Sequence, residues 1–305
     1  MTQNLTIIMA QLNFLVGDIE GNSQKMINHL EKARDELGGD VIIFPELAIT
    51  GYPPEDLLFR NGLYPRVTAA LDRLKQATTG IEVIVGYPWL TPENQRFNSI
   101  AHIREHHIVA HAYKHALPNY GVFDEARYFT VGTQLGMTSI QNIPVALSIC
   151  EDMWSEHVMA KAKTAGAQLM ISINASPFDM NKPMIREDVM SERAQQGGMP
   201  LIYVNTVGGQ DELVFDGGSM AISATGEVRQ QAPFFVETLE AVILAEGQII
   251  SERHNPIMSA EARIYNALVL GVRDYIVKNG FKNAVIGVSG GIDSALTLAI
   301  AADAL

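Results

Sequence analysis

Short apolar, β-branched runs recur along the chain, each followed by a stretch whose apolar positions return at helical spacing. The run LTIIMAQL (5–12) predicts a strand, and NSQKMINHLEKARDEL (22–37) a helix capped by Asn22 or Ser23. A second strand is expected over DVIIFPE (40–46), a helix over 65–77 and a strand over IEVIVGYP (81–88). FNSIAHIR and IVAHAYK, separated by EHH, predict a β-hairpin. Then come a strand over 144–150, a helix over 155–165, a strand over 168–175, a helix over 183–197 and a strand over 200–208. DELVFDGGSMAISATGEV predicts a closing hairpin with Gly-rich turns. This alternation, with hairpins inserted, predicts α/β architecture: mixed sheets covered by helices.

The pattern changes over 247–257, GQIISERHNPI, a polar stretch that reads as a linker. Residues 1–250 are therefore expected to form one domain. Beyond the linker, SAEARIYNALVLGVRDYIVKNG predicts a long helix ending at Gly280 as the residue past the cap. NAVIGVSGGIDSALTLAIAADAL then predicts a strand, a glycine loop and a second helix. One strand and two helices cannot bury their own faces, so 258–305 are expected to be the first piece of a second domain.

Charge narrows the partners. Acidic residues number 34 against 22 basic ones, a net charge of −12 over 305 residues, and no Lys/Arg cluster stands out. Nucleic acid and anionic membranes are not expected partners. No apolar run approaches the ~20 residues of a membrane span, and MTQNLTIIMAQL lacks the basic start of a signal peptide. One cysteine cannot form an internal disulfide, which suits a reduced, cytoplasmic setting.

That single cysteine sits where PVALSICEDMW turns from apolar to acidic. Glu46, Lys114 and Cys150 each close a predicted strand, and in α/β sheets the residues beyond carboxyl strand ends converge on the ligand crevice. A thiol, a carboxylate and an ammonium suit acyl transfer: the thiolate attacks an amide carbon, the carboxylate carries the proton and the ammonium holds the oxyanion. His107, His111 and His115 recur at four-residue spacing, but on a hairpin they share no helical face and no metal site is expected. SGGIDS (289–294), between a predicted strand and a helix, suits phosphate: glycines open the backbone N–H groups and the helix N-terminus favours negative charge. It does not have the spelling of a Walker loop.

FPELAITGYPPEDL (44–57), YKHALPNYGVFDEARYF (113–129) and ICEDMW (149–154), with NASPF (174–178), resemble the signature segments of the nitrilase, or carbon–nitrogen hydrolase, superfamily. TGYPPEDLL together with GVSGGIDSA resembles its glutamine-dependent NAD synthetase branch. The resemblance implies a nitrilase-like α–β–β–α sandwich and, over 258–305, a fragment of an ATP-pyrophosphatase α/β domain. It implies Glu46 as general base, Lys114 as oxyanion partner and Cys150 as nucleophile. Tyr120, Glu125, Glu151, Ser176 and Lys182 fall where glutamine is held, with Arg186 as a competing cation for the α-carboxylate. The Glu151 N–H would complete the oxyanion hole. Gly287, Val288, Ser289, Gly290, Gly291, Ile292, Asp293 and Ser294 fall on the pyrophosphate loop, with Asp293 near magnesium.

The implied activity is release of ammonia from L-glutamine through a cysteine thioester, for ATP-dependent amidation of deamido-NAD. ATP and magnesium would serve the synthetase, whereas the glutaminase would need no cofactor. A homo-oligomer is expected. One rival is a free-standing amidase or nitrilase acting on another small amide, which would have no need of SGGIDS. Another is a non-catalytic docking domain, which would not need Glu46, Lys114 and Cys150 together.

Overall fold

The computed structural model describes residues 4–253, 255 and 258–305. The chain opens with β1 (Leu5–Gln11), α1 (Ile19–Asp35), β2 (Val41–Ile43), α2 (Leu63–Ala77), β3 (Glu82–Leu90), β4 (Arg96–Arg104) and β5 (His107–Tyr113). It continues through α3 (Glu125–Tyr128), β6 (Gly136–Ile140), β7 (Ile143–Ile149), α4 (Glu156–Thr164), β8 (Leu169–Asn174), α5 (Lys182–Gly197) and β9 (Leu201–Asn205). The remainder is β10 (Val207–Gln210), β11 (Leu213–Asp216), β12 (Met220–Ile222), β13 (Val228–Gln231), β14 (Thr238–Ala245), β15 (Gln248–Ile249), α6 (Ala260–Lys278) and α7 (Ile292–Ala304).

Two sheets stack. One has the order β15-β14-β1-β2-β3-β4-β5, the other β13-β12-β9-β8-β7-β6. Each is built on three parallel neighbours, β1-β2-β3 and β7-β8-β9, flanked by antiparallel strands. The parallel strands are buried on both faces, so they read as continuous apolar runs. Ile7, Met9, Val41 and Ile43 of the first sheet meet Val145, Leu147, Ile171 and Ile173 of the second in one buried layer. Ile8, Ile42 and Val83 point the other way, toward Met26, Leu30, Leu71 and Leu74 of α1 and α2. Ala146, Met170 and Tyr203 do the same toward Met159, Met190 and Ala194 of α4 and α5. The layers run α–β–β–α, the sandwich expected from the sequence.

Several boundaries shift for visible reasons. Helix α1 starts before Asn22 because Asp18 caps it, accepting from the Gly21 N–H at 3.0 Å. Asn22 is buried and spends its amide on Leu15. The β4–β5 hairpin forms as predicted, on a two-residue turn with Glu105 and His106 both at positive φ (44° and 68°). The expected hairpin over 211–228 does not stay together. β11 pairs with β10, while β12 and β13 join the second sheet, because Gly217 and Gly218 (φ 69° and 65°) turn the chain between them. The polar stretch 247–257 is partly sheet: β15 pairs with β14, and Arg253 pairs with Glu240. His254, Pro256 and Ile257 of that stretch lie outside the described residues.

The strand expected over 283–288 is absent. No strand among the described residues lies beside it to complete a ladder, and Val285 is fully exposed. Helix α6 ends as predicted, with Gly280 at φ 73°. Among the described residues no helix is long and apolar enough to cross a membrane.

Candidate active site

Strand β2 ends at Ile43, and the chain turns through Phe44-Pro45 to aim Glu46 between the sheets. That turn lies against Gly86 of β3. A side-chain carbon there would come within 2.5 Å of Pro45 O and Leu47 N, so only glycine lets the turn seat. Glu46 is 2 % exposed and has both carboxylate oxygens occupied. Oε1 accepts from Asn98 Nδ2 (2.7 Å) and Lys114 Nζ (2.7 Å), and Oε2 accepts from the Ala175 N–H (2.9 Å).

Lys114 follows the last residue of β5 and is buried. Its ammonium donates to Glu46 and also to Glu125 Oε1 at 2.8 Å. Burial disfavours its charge, but the carboxylates of Glu125 and Glu46 hold its pKa well above the ordinary lysine value. Glu125 opens α3, where Tyr52 donates a second hydrogen bond to the same Oε1 at 2.9 Å. Burial, opposed by Lys114 and reinforced by the charge of Glu46, lifts the Glu125 carboxyl to about 7. Its Oε2 is buried without a protein partner. Arg127, two residues on, does not pair with Glu125; it pairs with Asp56 and Asp124.

Cys150 is the first residue past β7 and takes φ 46°, a conformation that costs a non-glycine residue about 1–2 kcal/mol. A tight helical turn over Cys150–Trp154 follows. Asp152 fixes that turn, accepting from the Ile149 N–H (3.1 Å) and from the N–H groups of His115 and Ala116 (2.8 Å each). The segment after Lys114 is thereby tied to the segment after Cys150. Burial and the charge of Glu46 push the Cys150 thiol well up, with Lys114 acting against them, so the resting sulfur carries its proton.

The remaining candidates lie around this centre. Tyr120, 59 % exposed, donates to Glu151 Oε1 at 2.9 Å at the mouth. Lys182 opens α5 with its ammonium over the rings of Phe123 (5.6 Å) and Trp154 (5.8 Å), and burial lowers its pKa. Ser176 is buried with its hydroxyl unpartnered, its N–H held by Asn205. Arg186, the competing cation, is fully buried and bound to Asp216 at 3.0 Å and to Gly217 O at 3.2 Å. Tyr52, Asn98 and Asp152 were not singled out in the sequence. Tyr52 and Asp152 stand inside the quoted segments, but nothing local marks their partners.

The glycine loop is no part of this centre. Residues 287–294 are largely exposed before α7, which packs on α6 through Tyr265–Asp303 (2.7 Å) and Arg273–Ala304 (3.2 Å). His107 and His111 lie on β5, and among the described residues no three His, Cys, Asp or Glu side chains gather as metal ligands.

A buried thiol, a carboxylate and a lysine at the strand ends of an α–β–β–α sandwich, with a second carboxylate from α3 against the lysine, define a class, and sequence comparison agrees. The carbon-nitrogen hydrolase family model matches residues 6–249, and the chain belongs to that family. The NAD synthase family model matches residues 264–305. The chain is 41% identical over 310 residues to the glutamine-dependent NAD(+) synthetase of Xanthomonas campestris pv. campestris, covering 99% of this chain and 55% of that protein. With the Acinetobacter baylyi enzyme of the same name it shares 39% identity, over 99% of this chain and 56% of the relative. The chain thus spans little more than half the length of these relatives.

Among solved structures, glutamine-dependent NAD+ synthetase from Acinetobacter baumannii in complex with ADP superposes with a TM-score of 0.96 at 38% identity, covering 99% of this chain and 58% of that one. An amidase from Nesterenkonia sp. superposes with a TM-score of 0.72 at 26% identity, over 79% of this chain and 90% of that one. A mutant of that amidase shows covalent addition of the acetamide moiety of fluoroacetamide at its active site cysteine.

Proposed function

We propose that this chain carries the glutaminase of a glutamine-dependent NAD synthetase, with Cys150 as nucleophile, Glu46 as general base and Lys114 as oxyanion donor. The observation that carries the reading is the buried Glu46–Lys114–Glu125 cluster, whose charges all act on the Cys150 thiol. Similarity to NAD(+) synthetases along 99% of the chain supports this reading over an amidase acting alone.

The cluster gives each step a place. Glutamine enters past Tyr120, and Glu151 accepts its α-amino group. Lys182 meets its α-carboxylate, since Arg186 is already committed to Asp216. As Sγ bonds to the side-chain amide carbon, the thiol proton passes to Glu46 and the oxyanion is held by Lys114 and the Glu151 N–H. Glu46 returns the proton to nitrogen, the C–N bond breaks and ammonia leaves a γ-glutamyl thioester. Water then attacks, giving its proton to Glu46; the thioester opens to glutamate and the thiol is restored. Ser176 and Glu125 line the substrate, and Glu125 also keeps Lys114 charged.

In the longer synthetase, ATP with magnesium would supply the activation of the deamido-NAD carboxylate that lets the ammonia attack it. The residues of the glycine loop suit its phosphates. Gly290 takes φ 89°, and a side-chain carbon on Gly287 or Gly290 meets nothing within 4 Å, so the backbone lies open at the start of α7. Gly287–Ser294 would hold the pyrophosphate portion and Asp293 the magnesium. A homo-oligomer is proposed for this chain, and the exposed apolar side chains of Met184 and Ile185 on α5 are open to a second copy. The test is glutamate release from glutamine. Release in the native protein and none in Cys150→Ala supports the glutaminase, whereas turnover of small aliphatic amides but not glutamine favours the amidase.

A further inference from the structure

Helix α6 lies in the stretch matched by the NAD synthase family, yet its polar side chains reach back into the body that carries Cys150. Asp274 is 6 % exposed, and its Oδ2 accepts from the Gly209 N–H (2.7 Å) and from Asn13 Nδ2 (2.6 Å). Lys278, one turn on, pairs with Asp274 (3.1 Å) and donates to Gly209 O (2.8 Å) and Phe14 O (3.3 Å). Both backbone groups of Gly209 are therefore captured by the helix. The contact is close because Gly209 faces Gly271: a side-chain carbon on Gly209 would lie 3.1 Å from Gly271 Cα and 3.2 Å from Asp274 Cβ. Ala267 and Leu270 of α6 bury themselves there with Val207 and Val214.

Gly209 belongs to the two-stranded β10–β11 sheet, opposite Val214 and beside the Gly208–Phe215 pair. Phe215 is buried with its ring edge-on to Tyr52 (centroids 5.9 Å apart, planes at 88°). Tyr52 is the residue that donates to Glu125 Oε1. The same strand also holds the segment after Ser176: Pro177 bridges to Phe215, and the Phe178 N–H donates to Val214 O at 2.7 Å. A continuous path of packed groups runs from Asp274 through the hairpin to the carboxylate beside Lys114.

We infer that Asp274 is a positioning residue for amide hydrolysis: by clamping the β10–β11 hairpin it sets Phe215 and Tyr52, and through Tyr52 the orientation of Glu125. The inference rests on the glutaminase reading above. It assigns to the second part of the chain a role in the chemistry of the first. A misplacement of reacting groups by about 1 Å can cost on the order of 10²-fold in rate, and on its α6 side the hairpin is held at Gly209 by Asp274 and by its ion-pair partner Lys278.

The test compares Asp274→Ala, Tyr52→Phe and the double variant in the full chain, with kcat and KM for glutamine and the melting temperature of each. Each single change is expected to lower kcat by about 10-fold with KM within about 3-fold. The double variant should be no slower than the worse single, because both act on one path. Asp274→Asn, which keeps an acceptor for Gly209, should recover much of the loss. Arg273→Ala, on the α7 side of the same helix, should lower the melting temperature with kcat unchanged. Wild-type kcat in Asp274→Ala, or multiplying losses in the double variant, overturns the inference. If Asp274→Ala fails to fold, Lys278→Met, which removes the bond to Gly209 O, takes its place: a lowered kcat that the Tyr52→Phe background does not lower further supports the inference, and wild-type kcat or multiplying losses overturn it. A native protein that releases no glutamate refutes the glutaminase reading instead. The rate of Cys150 alkylation by iodoacetamide then decides the clamp: a shared, non-additive change in the two single variants supports it, and none overturns it.

Discussion

Two stretches of this chain share one design and meet different fates. VALSIC and NAVIGV are apolar runs that deliver a chemically capable loop at their carboxyl ends. The first becomes β7, paired with β6 on one side and β8 on the other, and the Cys150 turn beyond it is pinned by Asp152. The second pairs with nothing among the described residues, and its loop is held by contacts among its own serines, such as Ser289–Ser294 at 3.2 Å. A β ladder is bought with neighbours, not with propensity. Chemistry that needs tenths of an ångström follows the ladder.

Substitutions at the first stretch should therefore be severe and those at the second silent for amide hydrolysis. Cys150→Ala is expected to lower glutamate release by at least about 10³-fold, with an unchanged circular dichroism spectrum. Lys114→Met should do nearly as much to the rate and also cost about 3–5 kcal/mol of stability, because Glu46 and Glu125 are left buried without their cation. Urea unfolding reads the second effect. If the melt is unmoved, the cluster is wetter than its burial indicates.

Glu125 gives the contrast a pH signature. Its carboxyl, lifted to about 7, must ionise to hold Lys114, so kcat/KM for glutamine should rise as pH climbs through about 7. Glu125→Gln should remove that limb. Stability moves oppositely. An acid whose folded pKa exceeds its unfolded value near 4.5 favours the fold at low pH, and that contribution is lost as pH rises from 4.5 to about 7. Urea midpoints at pH 5 and 8 should therefore differ less in Glu125→Gln than in the native protein. The smallest effect is expected in the second stretch: Asp293→Asn or Gly290→Ala should leave glutamate release within about 2-fold, since those residues are exposed and the loop's bonds run among its own residues and into α7. A larger drop would break the contrast.

Much of this was legible in sequence because it is local. Strand runs, helix spacing and the left-handed Gly280 follow from periodicity and backbone freedom. Glu46, Lys114 and Cys150 were marked by their place after apolar runs. What escaped depends on distant partners. β14 finds its place beside β1, more than two hundred residues away, through the Leu5–Leu244 register. Tyr52 earns its importance from Glu125, and Asp152 from the backbone of His115 and Ala116. Arg186 offered itself as a substrate cation until Asp216, thirty residues on, took its charge. NAVIGV had every local mark of a strand and lacked only company.

The bond from the Ala175 N–H to Glu46 has a consequence for tolerance. Ala175 follows β8 of one sheet and Glu46 follows β2 of the other, so the base and the thiol ride on separate slabs about 10 Å apart in mean spacing. The catalytic alignment is a vernier between those slabs. Any change in the filling of the layer between them, such as Ile171→Val or Met9→Leu, slides one scale against the other. Turnover should then register repacking that moves a melting curve by only a few degrees, and the interior of this protein answers to catalysis as strictly as its mouth does.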